Sequence, residues 1–411
     1  MIAEIVSIGT ELLLGEIVDT NAAHIARQLA AIGVDHLYST TVGDNQDRIV
    51  GVLRTALERS DVVITTGGLG PTVDDMTREA VARVMGRPLV SPPGLLEQVE
   101  AFFRRRGAVM TENNRRQAYV PEGAIVVENP VGTAPAFVAE VGSSNQTDSG
   151  SGKGAARKAV ICLPGVPREM TYLMEERVLP YLRGRMGEAA VIVSRWVHTV
   201  AVGESVVGEA IADLMHWNNP SVGTRAHPGQ TDVCITAKAA THELAVQLLD
   251  AMEAQVRQRV GSAVYGVDQE TLPGMVISGL KKRGLTLALA ETVTEGLVAG
   301  KLREAEGANS VLVDARKAAD GAALAQEMAI PVPGDEEGLA SGLASAVCAE
   351  HKADLGLAIL EGSGAEPRLW IALATPDGIQ VRSSPSRGRS DHAHAWTLHY
   401  ALDMVRRWLT D

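Results

Sequence analysis

The first part of the chain alternates short apolar runs with segments in which apolar residues recur at helical spacing. Runs at 2–8, 34–42 and 61–66 are rich in Ile, Val and Thr and predict three strands. Apolar positions between the runs, such as Ile25 and Leu29, predict intervening helices. Strands that alternate with helices indicate a parallel sheet covered on both faces, with ligands bound beyond the carboxyl ends of the strands.

The later residues continue as further strand and helix modules. Because the length exceeds that of one ordinary domain, we predict three domains. Their bounds are 1–172 for the first α/β domain, 173–265 for a small α+β module and 266–411 for a second α/β domain. Residues 142–158 contain almost no apolar side chain, so we predict that they form a flexible hairpin tip or surface insertion.

Composition and charge narrow the classes of function. Of 411 residues, 45% are apolar and 21% are charged, which is ordinary for a globular protein, and the formal net charge of -12 disfavours a nucleic-acid partner. No stretch approaches the roughly 20 apolar residues of a membrane helix, and the first residues lack a signal-peptide pattern. We therefore expect a cytosolic protein. Cys162, Cys234 and Cys348 lie far apart in apolar runs and are expected to be reduced core residues.

The segment 65–77, which reads TTGGLGPTVDDMT, carries the densest candidate chemistry. Its glycines let the backbone approach a ligand closely, and Thr72 is expected to open a helix whose free N–H groups favour phosphate. Asp74 and Asp75 could hold a divalent cation or activate water. The spacing of Thr72 and Asp75 is equally typical of a capping box, which stabilises a helix without catalysis. The spacing alone leaves both interpretations open.

Polar residues also follow the first two predicted strands. Thr10 and Asn21 lie in or just beyond the loop after the first strand, and Asp44 follows the second. For Asp44 the alternative role is a helix cap, and Thr20 or Asp19 is also a plausible N-cap. Because three successive strands end in acidic or amide residues, their convergence favours a metal-assisted phosphate site.

Two later loops could complete this site. Residues 129–135 and 163–167 are rigid Pro- and Gly-containing loops that follow apolar strands, although each alone is also typical of an ordinary turn. The basic runs 104–106 and 115–116 are typical of a solvated helix face, and an arginine that clamps phosphate is the other interpretation.

These segments together resemble the competence/damage-inducible CinA family over nearly the full length. The resemblance is carried by GTELLLGEIVDTNA, TTVGDN, TTGGLGPTVDDMT, MTENNRRQA, NPVGTAPAF and LPGVPREM. It implies a molybdopterin-binding-like first domain, which in CinA proteins is associated with metal-dependent ADP-ribose pyrophosphatase activity. It also implies a KH-type middle module, but no GxxG loop occurs between 180 and 260, so an RNA-binding role is not carried over.

The C-terminal domain resembles the nicotinamide-nucleotide amidase part of the family, which uses a serine within an ESCTGG motif. Here residues 291–296 read ETVTEG, so Thr292 replaces the serine and Glu295 replaces a glycine. The family's YSNEAK stretch falls on 319–324, where Leu324 stands in place of the lysine, and the TGIAGP loop is shortened at 360–364. A hydroxyl nucleophile needs a nearby base. We therefore predict that this domain has lost amidase activity.

The resemblance thus implies an enzyme that hydrolyses the pyrophosphate of ADP-ribose or a related nucleotide with Mg²⁺, Mn²⁺ or Co²⁺, and with K⁺ as a further cation. We predict Asp74 and Asp75 as catalytic residues and Asp44 and Asp75 as metal ligands. The predicted substrate and phosphate contacts are Thr10, Asn21, Gly67, Gly68, Gly70, Thr72 and Thr133. The alternative is a non-catalytic scaffold that binds a nucleotide or pterin in competence or stress response. The expected partner is a small-molecule nucleotide, not nucleic acid or a membrane, and the resemblance implies a homodimer.

Overall fold

The computed structural model describes residues 1–141, 158–186, 190–363 and 366–410. The predicted hairpin tip at 142–158 therefore lies outside the described residues, except for Lys158. The chain divides into two compact units, Met1–Val193 with Lys238–Val246 and Ser194–Ala237 with Gln247–Asp411. The finer bounds of the three predicted domains stay a prediction.

The N-terminal unit is built on a six-stranded sheet with helices on both faces. The strands of this sheet are β1 (Ile2–Ile8), β2 (Asp35–Val42), β3 (Val62–Thr66), β6 (Ile125–Val127), β7 (Ala136–Glu140) and β8 (Ala159–Leu163). Strands β4 (Leu89–Val90) and β5 (Val120–Pro121) form a separate two-stranded ribbon. The helices of the unit are α1 (Thr10–Leu13), α2 (Thr20–Ala31), α3 (Gln46–Arg59), α4 (Thr77–Met85), α5 (Leu95–Arg105), α6 (Pro167–Leu173) and α7 (Leu179–Arg185).

The strand order of this sheet is β2-β1-β3-β8-β7-β6, and β2, β1, β3 and β8 run parallel. Both faces are buried: along β1, Ala3 and Ile5 pack into one apolar core, and Val6 and Ile8 pack into the other. This alternation produces the continuous apolar runs that predict the strands. The predicted α/β class with a mostly parallel N-terminal sheet is confirmed.

Two local predictions in this unit are wrong. Helix α4 begins at Thr77 and is not opened by Thr72, because residues 71–76 form a turn in which Asp75 binds backbone groups that precede the helix. Asn45, not Asp44, caps α3 and accepts a hydrogen bond from the backbone N–H of Arg48. The Asp44 carboxylate instead binds Thr10 across the sheet edge.

A second sheet has four strands in the order β10-β11-β9-β12. Its strands are β9 (Val191–Val200), β10 (Ser221–His227), β11 (Gln230–Ala239) and β12 (Val264–Val267), and its helices are α8 (Glu204–Ala210) and α9 (His242–Val260). The pairs β10–β11 and β9–β12 are antiparallel. This arrangement agrees with the predicted small α+β module.

The C-terminal sheet has five strands in the order β14-β13-β15-β16-β17, of which β14, β13 and β15 are parallel. Its strands are β13 (Leu287–Glu291), β14 (Leu312–Lys317), β15 (Leu355–Glu361), β16 (Arg368–Thr375) and β17 (Gly378–Pro385). Its helices are α10 (Leu272–Arg283), α11 (Leu297–Arg303), α12 (Gly321–Glu327), α13 (Glu336–His351) and α14 (Asp391–Thr410). None of the described helices has the length and apolar character of a membrane span.

Candidate functional site

Five loops of the N-terminal sheet meet at one edge. Strands β2, β1, β3 and β8 end there, β6 also ends there, and β7 begins there because it runs antiparallel to both neighbours. Neighbouring strands lie about 4.8 Å apart, so the loops after β3 and β8 and before β7 span about 10 Å. This is the edge at which the sequence predicts a ligand site.

The loop after β3 holds Gly67 and Gly68 in a conformation that suits glycine. Their φ angles are 105° and 65°, and a Cβ at Gly67 would collide with the carbonyl of Ile8. The N–H of Gly67 donates to the carbonyl of Leu163 at 3.1 Å, and the Thr77 hydroxyl donates to the Gly67 carbonyl at 2.8 Å. The loop is therefore tied to β8 and to the first residue of α4.

Asp75 organises the turn that follows this loop. Its carboxylate accepts hydrogen bonds from the N–H groups of Gly70 and Thr72, both at 2.8 Å, and from the Thr72 hydroxyl. The capping-box interpretation is wrong, since these donors precede the helix by five residues or more. Arg116 holds the other side of the turn by donating to the carbonyls of Thr72 and Asp75. Asp74, by contrast, is exposed.

We expect Asp75→Ala to lower the free energy of unfolding by about 1–3 kcal/mol, because two backbone N–H groups and one hydroxyl lose a charged acceptor. Urea unfolding of the purified variant measures the change. Asp74→Ala is the matched control and should lower the unfolding midpoint less, since Asp74 is exposed and, among the described residues, its carboxylate hydrogen-bonds only the Thr72 side chain and its own backbone. Equal midpoints for the two variants would contradict this account of the turn.

Asp44 and Thr10 join the loops after β2 and β1. The Thr10 N–H and hydroxyl both donate to Oδ2 of Asp44 at 2.8 Å, whereas Oδ1 makes no hydrogen bond to a described residue. Among the described residues, no three His, Cys, Asp or Glu side chains are grouped to hold a metal ion. Mg²⁺ that binds with nucleotide phosphates needs only one or two protein carboxylates. Asp44 fits that requirement better than Asp75, whose oxygens already accept three hydrogen bonds.

Asn21 connects the loops after β3 and β8 from its position on α2. Its amide nitrogen donates to the Thr66 hydroxyl at 3.0 Å and to the Gly165 carbonyl at 2.8 Å. Its Oδ1 atom is buried and has no hydrogen-bond partner among the described residues. A buried acceptor without a partner is uncommon and marks a position where a donor is needed.

Glu169, in the first turn of α6, is a site residue that the sequence analysis does not nominate. Its Oε2 accepts a hydrogen bond from the Asn129 side chain at 2.7 Å, and its other oxygen makes none with a described residue. A Cβ at Gly132 would collide with this carboxylate, so a larger residue there would require the Glu169 side chain to move. Burial raises the pKa of Glu169 above its ordinary value, although the Asn129 hydrogen bond opposes the shift.

A cavity of about 160 Å³ lies at this side of the edge. Its lining includes Asn129, Gly132, Thr133 and Arg105. Thr133, a predicted substrate contact, accepts a hydrogen bond from Gln117 at 3.1 Å. Arg105 makes no hydrogen bond or ion pair with a described residue, so its charge is available to an anion. The signal for Glu169 in the sequence is its place in the first turn of the helix that follows β8.

The predicted degenerate amidase site lies in the C-terminal sheet. Thr292 is only 3% exposed, and its hydroxyl makes a long hydrogen bond of 3.4 Å to the Ile359 carbonyl. Leu324 is fully buried in an apolar core between α12 and α13. Glu295 is exposed and has a φ of 54°, a left-handed conformation that suits the glycine of the family motif.

We expect Glu295→Gly to raise the free energy of unfolding by about 0.5–1 kcal/mol, because glycine adopts the left-handed conformation with less strain. Ala251→Gly, at an exposed position in the interior of helix α9, is the control and should lower stability by about 1 kcal/mol. Thermal unfolding of both variants makes the comparison. A loss of stability in Glu295→Gly would show that the Glu295 side chain contributes more than its backbone strain costs.

Comparison with known proteins adds to this geometry. Residues 4–184 match the family described as "Probable molybdopterin binding domain", and residues 194–266 match "Damage-inducible protein CinA KH domain". The chain is 36% identical over 422 residues to a competence-damage inducible protein of Alkaliphilus oremlandii, covering 99% of this chain and 98% of that one. It is also 36% identical over 424 residues to a CinA-like protein of Kosmotoga olearia, covering 100% of this chain and 99% of the relative.

Among solved structures, the CinA protein of Thermoplasma acidophilum is similar to 45% of this chain and 98% of its own, with 33% sequence identity and a TM-score of 0.38. The near-complete coverage of relatives at 36% identity shows the family. The match at 194–266 agrees with the predicted KH-type module. The chain therefore belongs to the CinA family of competence-damage inducible proteins.

Proposed function

We propose that the N-terminal unit hydrolyses the pyrophosphate bond of ADP-ribose or a related nucleotide. The observation that carries the proposal is the meeting of a glycine loop, an available arginine and a partly buried carboxyl group at one sheet edge. These are a phosphate-binding backbone, a counter-charge and an acid–base group, which together suit hydrolysis of a phosphate anhydride. The association of CinA proteins with ADP-ribose pyrophosphatase activity supports the same substrate.

In this proposal the two phosphates occupy neighbouring loops. The backbone at Gly67, Gly68 and Gly70 and the Thr72 hydroxyl hold one phosphate, while Thr133 and Arg105 hold the other. Asn21, with its buried unpartnered oxygen, positions a hydroxyl or amide donor of the substrate. Thr10 is the proposed contact on the β1 and β2 side of the edge, where its hydrogen bonds hold the Asp44 carboxylate in place.

Glu169 acts as the general base. Its free oxygen accepts a proton from the attacking water, and Asn129 holds the other oxygen in place. The water oxygen bonds to one phosphorus, the bridging P–O bond breaks, and the two products are AMP and ribose 5-phosphate. Asp74 and Asp75 remain proposed catalytic carboxylates. Asp75 is freed for that role only when it leaves the turn.

Asp44 would hold the metal through its Oδ1 atom. A divalent cation bound there with the nucleotide neutralises charge on the phosphates and so favours attack by water. Asp75 is the second proposed ligand after release from Gly70 and Thr72. Few metal ligands are needed from the protein because the nucleotide itself supplies oxygen ligands.

The test is AMP release from ADP-ribose by the full chain with Mg²⁺, Mn²⁺, Co²⁺ or EDTA. We expect activity with metal and none with EDTA. Asp44→Asn should raise the metal concentration for half-maximal activity at least tenfold. Asp47→Asn, an exposed aspartate at the start of α3, is the control and should leave it unchanged. Equal turnover in EDTA, or equal metal dependence in the two variants, would contradict the assignment.

A further inference from the structure

The turn after the glycine loop already holds an anion. The N–H groups of Gly70 and Thr72 and the Thr72 hydroxyl all donate to the Asp75 carboxylate. Three donors that converge on one pair of oxygens form a seat for an oxyanion, as in the backbone nests that bind phosphate. In this structure the oxyanion belongs to the chain itself.

A second, independent feature also attracts an anion to this place. Arg78, in the first turn of α4, is only 2% exposed and donates to the carbonyls of Leu69 and Gly70 at 2.7 and 2.6 Å. Among the described residues, its Nε has no hydrogen-bond partner and its guanidinium forms no ion pair. Burial lowers the pKa of Arg78 to about 10, so the group stays charged at neutral pH. A buried cation without a paired carboxylate is costly and favours a nearby anion.

The peptide groups of the turn are oriented by these charges. The carbonyls of Leu69 and Gly70 face Arg78, and those of Thr72 and Asp75 face Arg116. Arg116 is in turn paired with Glu79 at 2.8 Å. With the carbonyl oxygens held by two arginines, the N–H groups of Gly70 and Thr72 remain directed toward the seat.

We propose that this seat binds a phosphate group of the substrate and that Asp75 is an internal stand-in for it. Phosphate displaces the carboxylate, takes over the three donors and frees Asp75 to act at the sheet edge. This inference rests on the proposed function for the identity of the phosphate as that of a nucleotide. Asp75 is therefore released only when substrate binds. Without substrate, the Asp75 carboxylate keeps the three donors of the seat in order.

The experiment measures binding of inorganic pyrophosphate to the full chain in EDTA by calorimetry. Asp75→Asn weakens the stand-in and should bind pyrophosphate at least tenfold more tightly than the unaltered chain. Asp47→Asn removes the same charge from an exposed position on α3 outside the seat, and it should change the affinity less than threefold. Equal effects of the two variants, or unchanged affinity in a folded Asp75→Asn protein, would overturn the proposal.

A measurement on the unaltered chain covers the case in which Asp75→Asn does not fold. Pyrophosphate should shift the amide NMR signals of Gly70 and Thr72, because these groups exchange a carboxylate for a phosphate. Unchanged signals at saturating pyrophosphate would overturn the proposal. Neither experiment depends on turnover, so absence of ADP-ribose hydrolysis would contradict the proposed function and leave this inference standing.

Discussion

Replacement of Glu169 by Gln should lower the rate of ADP-ribose hydrolysis about 10²- to 10⁴-fold, the usual contribution of a general base. Gln has the same shape and keeps an oxygen that can accept the Asn129 hydrogen bond, but it cannot take a proton from water. The loop that contains Gly132 remains compatible with it, since no atom is added. Steady-state kinetics and an unfolding curve of the same preparation separate loss of chemistry from loss of structure.

The pH dependence of kcat/KM should also identify Glu169 as the base. A base must be ionised, so kcat/KM should fall as pH decreases through the pKa of Glu169, which burial places above the ordinary value for Glu. Glu169→Gln should lack that acidic limb. Glu176→Gln, an exposed residue on the following helical turn, is the control and should keep both rate and limb. An unchanged limb in Glu169→Gln would assign the base to another residue.

The purified chain should release no ammonia from nicotinamide mononucleotide above a buffer blank. Amide hydrolysis through an acyl-enzyme needs a nucleophile, a proton acceptor and donors for the oxyanion, and loss of one member disables the set. Thr292 is buried, and among the described residues its hydroxyl hydrogen-bonds only the Ile359 carbonyl. Leu324 fills an apolar core where the family places a lysine. Glu295 adds negative charge beside the position of a developing anion.

The assay is enzymatic detection of ammonia with the unaltered chain and Thr292→Ala in parallel. We expect both to match the blank. A rate well above the blank that Thr292→Ala abolishes would contradict the prediction and reveal a base outside the positions matched to the family motif. A rate that Thr292→Ala leaves unchanged would point to a contaminating amidase.

The strands and helices of the N-terminal sheet are predictable because burial on both faces leaves a strong trace in the sequence. The runs at 2–8 and 61–66 coincide with β1 and β3 to within a residue. Strand β14 is not predictable in this way, because it lies at a sheet edge and carries the charged Asp314, Arg316 and Lys317. Helix α13 is also not predictable from its periodicity, since its many small residues give almost no amphipathic stripe.

The edge that gathers the candidate site is predictable for a topological reason, since parallel strands end on one side. Hydrogen bonding within the loops cannot be predicted in this way, because the turns show no periodic pattern of apolar residues in the sequence. Asp75 accepts a hydrogen bond from the N–H of Gly70, five residues earlier. The spacing of Thr72 and Asp75 predicts a capping box instead. Arg116 reads as part of a solvated basic run, yet it clamps a turn more than 40 residues away in the chain.

Analysis of the products of ADP-ribose distinguishes hydrolysis by this chain from binding without chemistry. The full chain is incubated with ADP-ribose and Mg²⁺, Mn²⁺ or Co²⁺, and the mixture is separated by ion-exchange chromatography, with binding of ADP-ribose measured by calorimetry under the same conditions. We predict equal amounts of AMP and ribose 5-phosphate, formed by the unaltered chain and strongly reduced in Glu169→Gln. Tight binding of ADP-ribose that remains intact after long incubation with each metal would contradict hydrolysis and favour the nucleotide-binding scaffold.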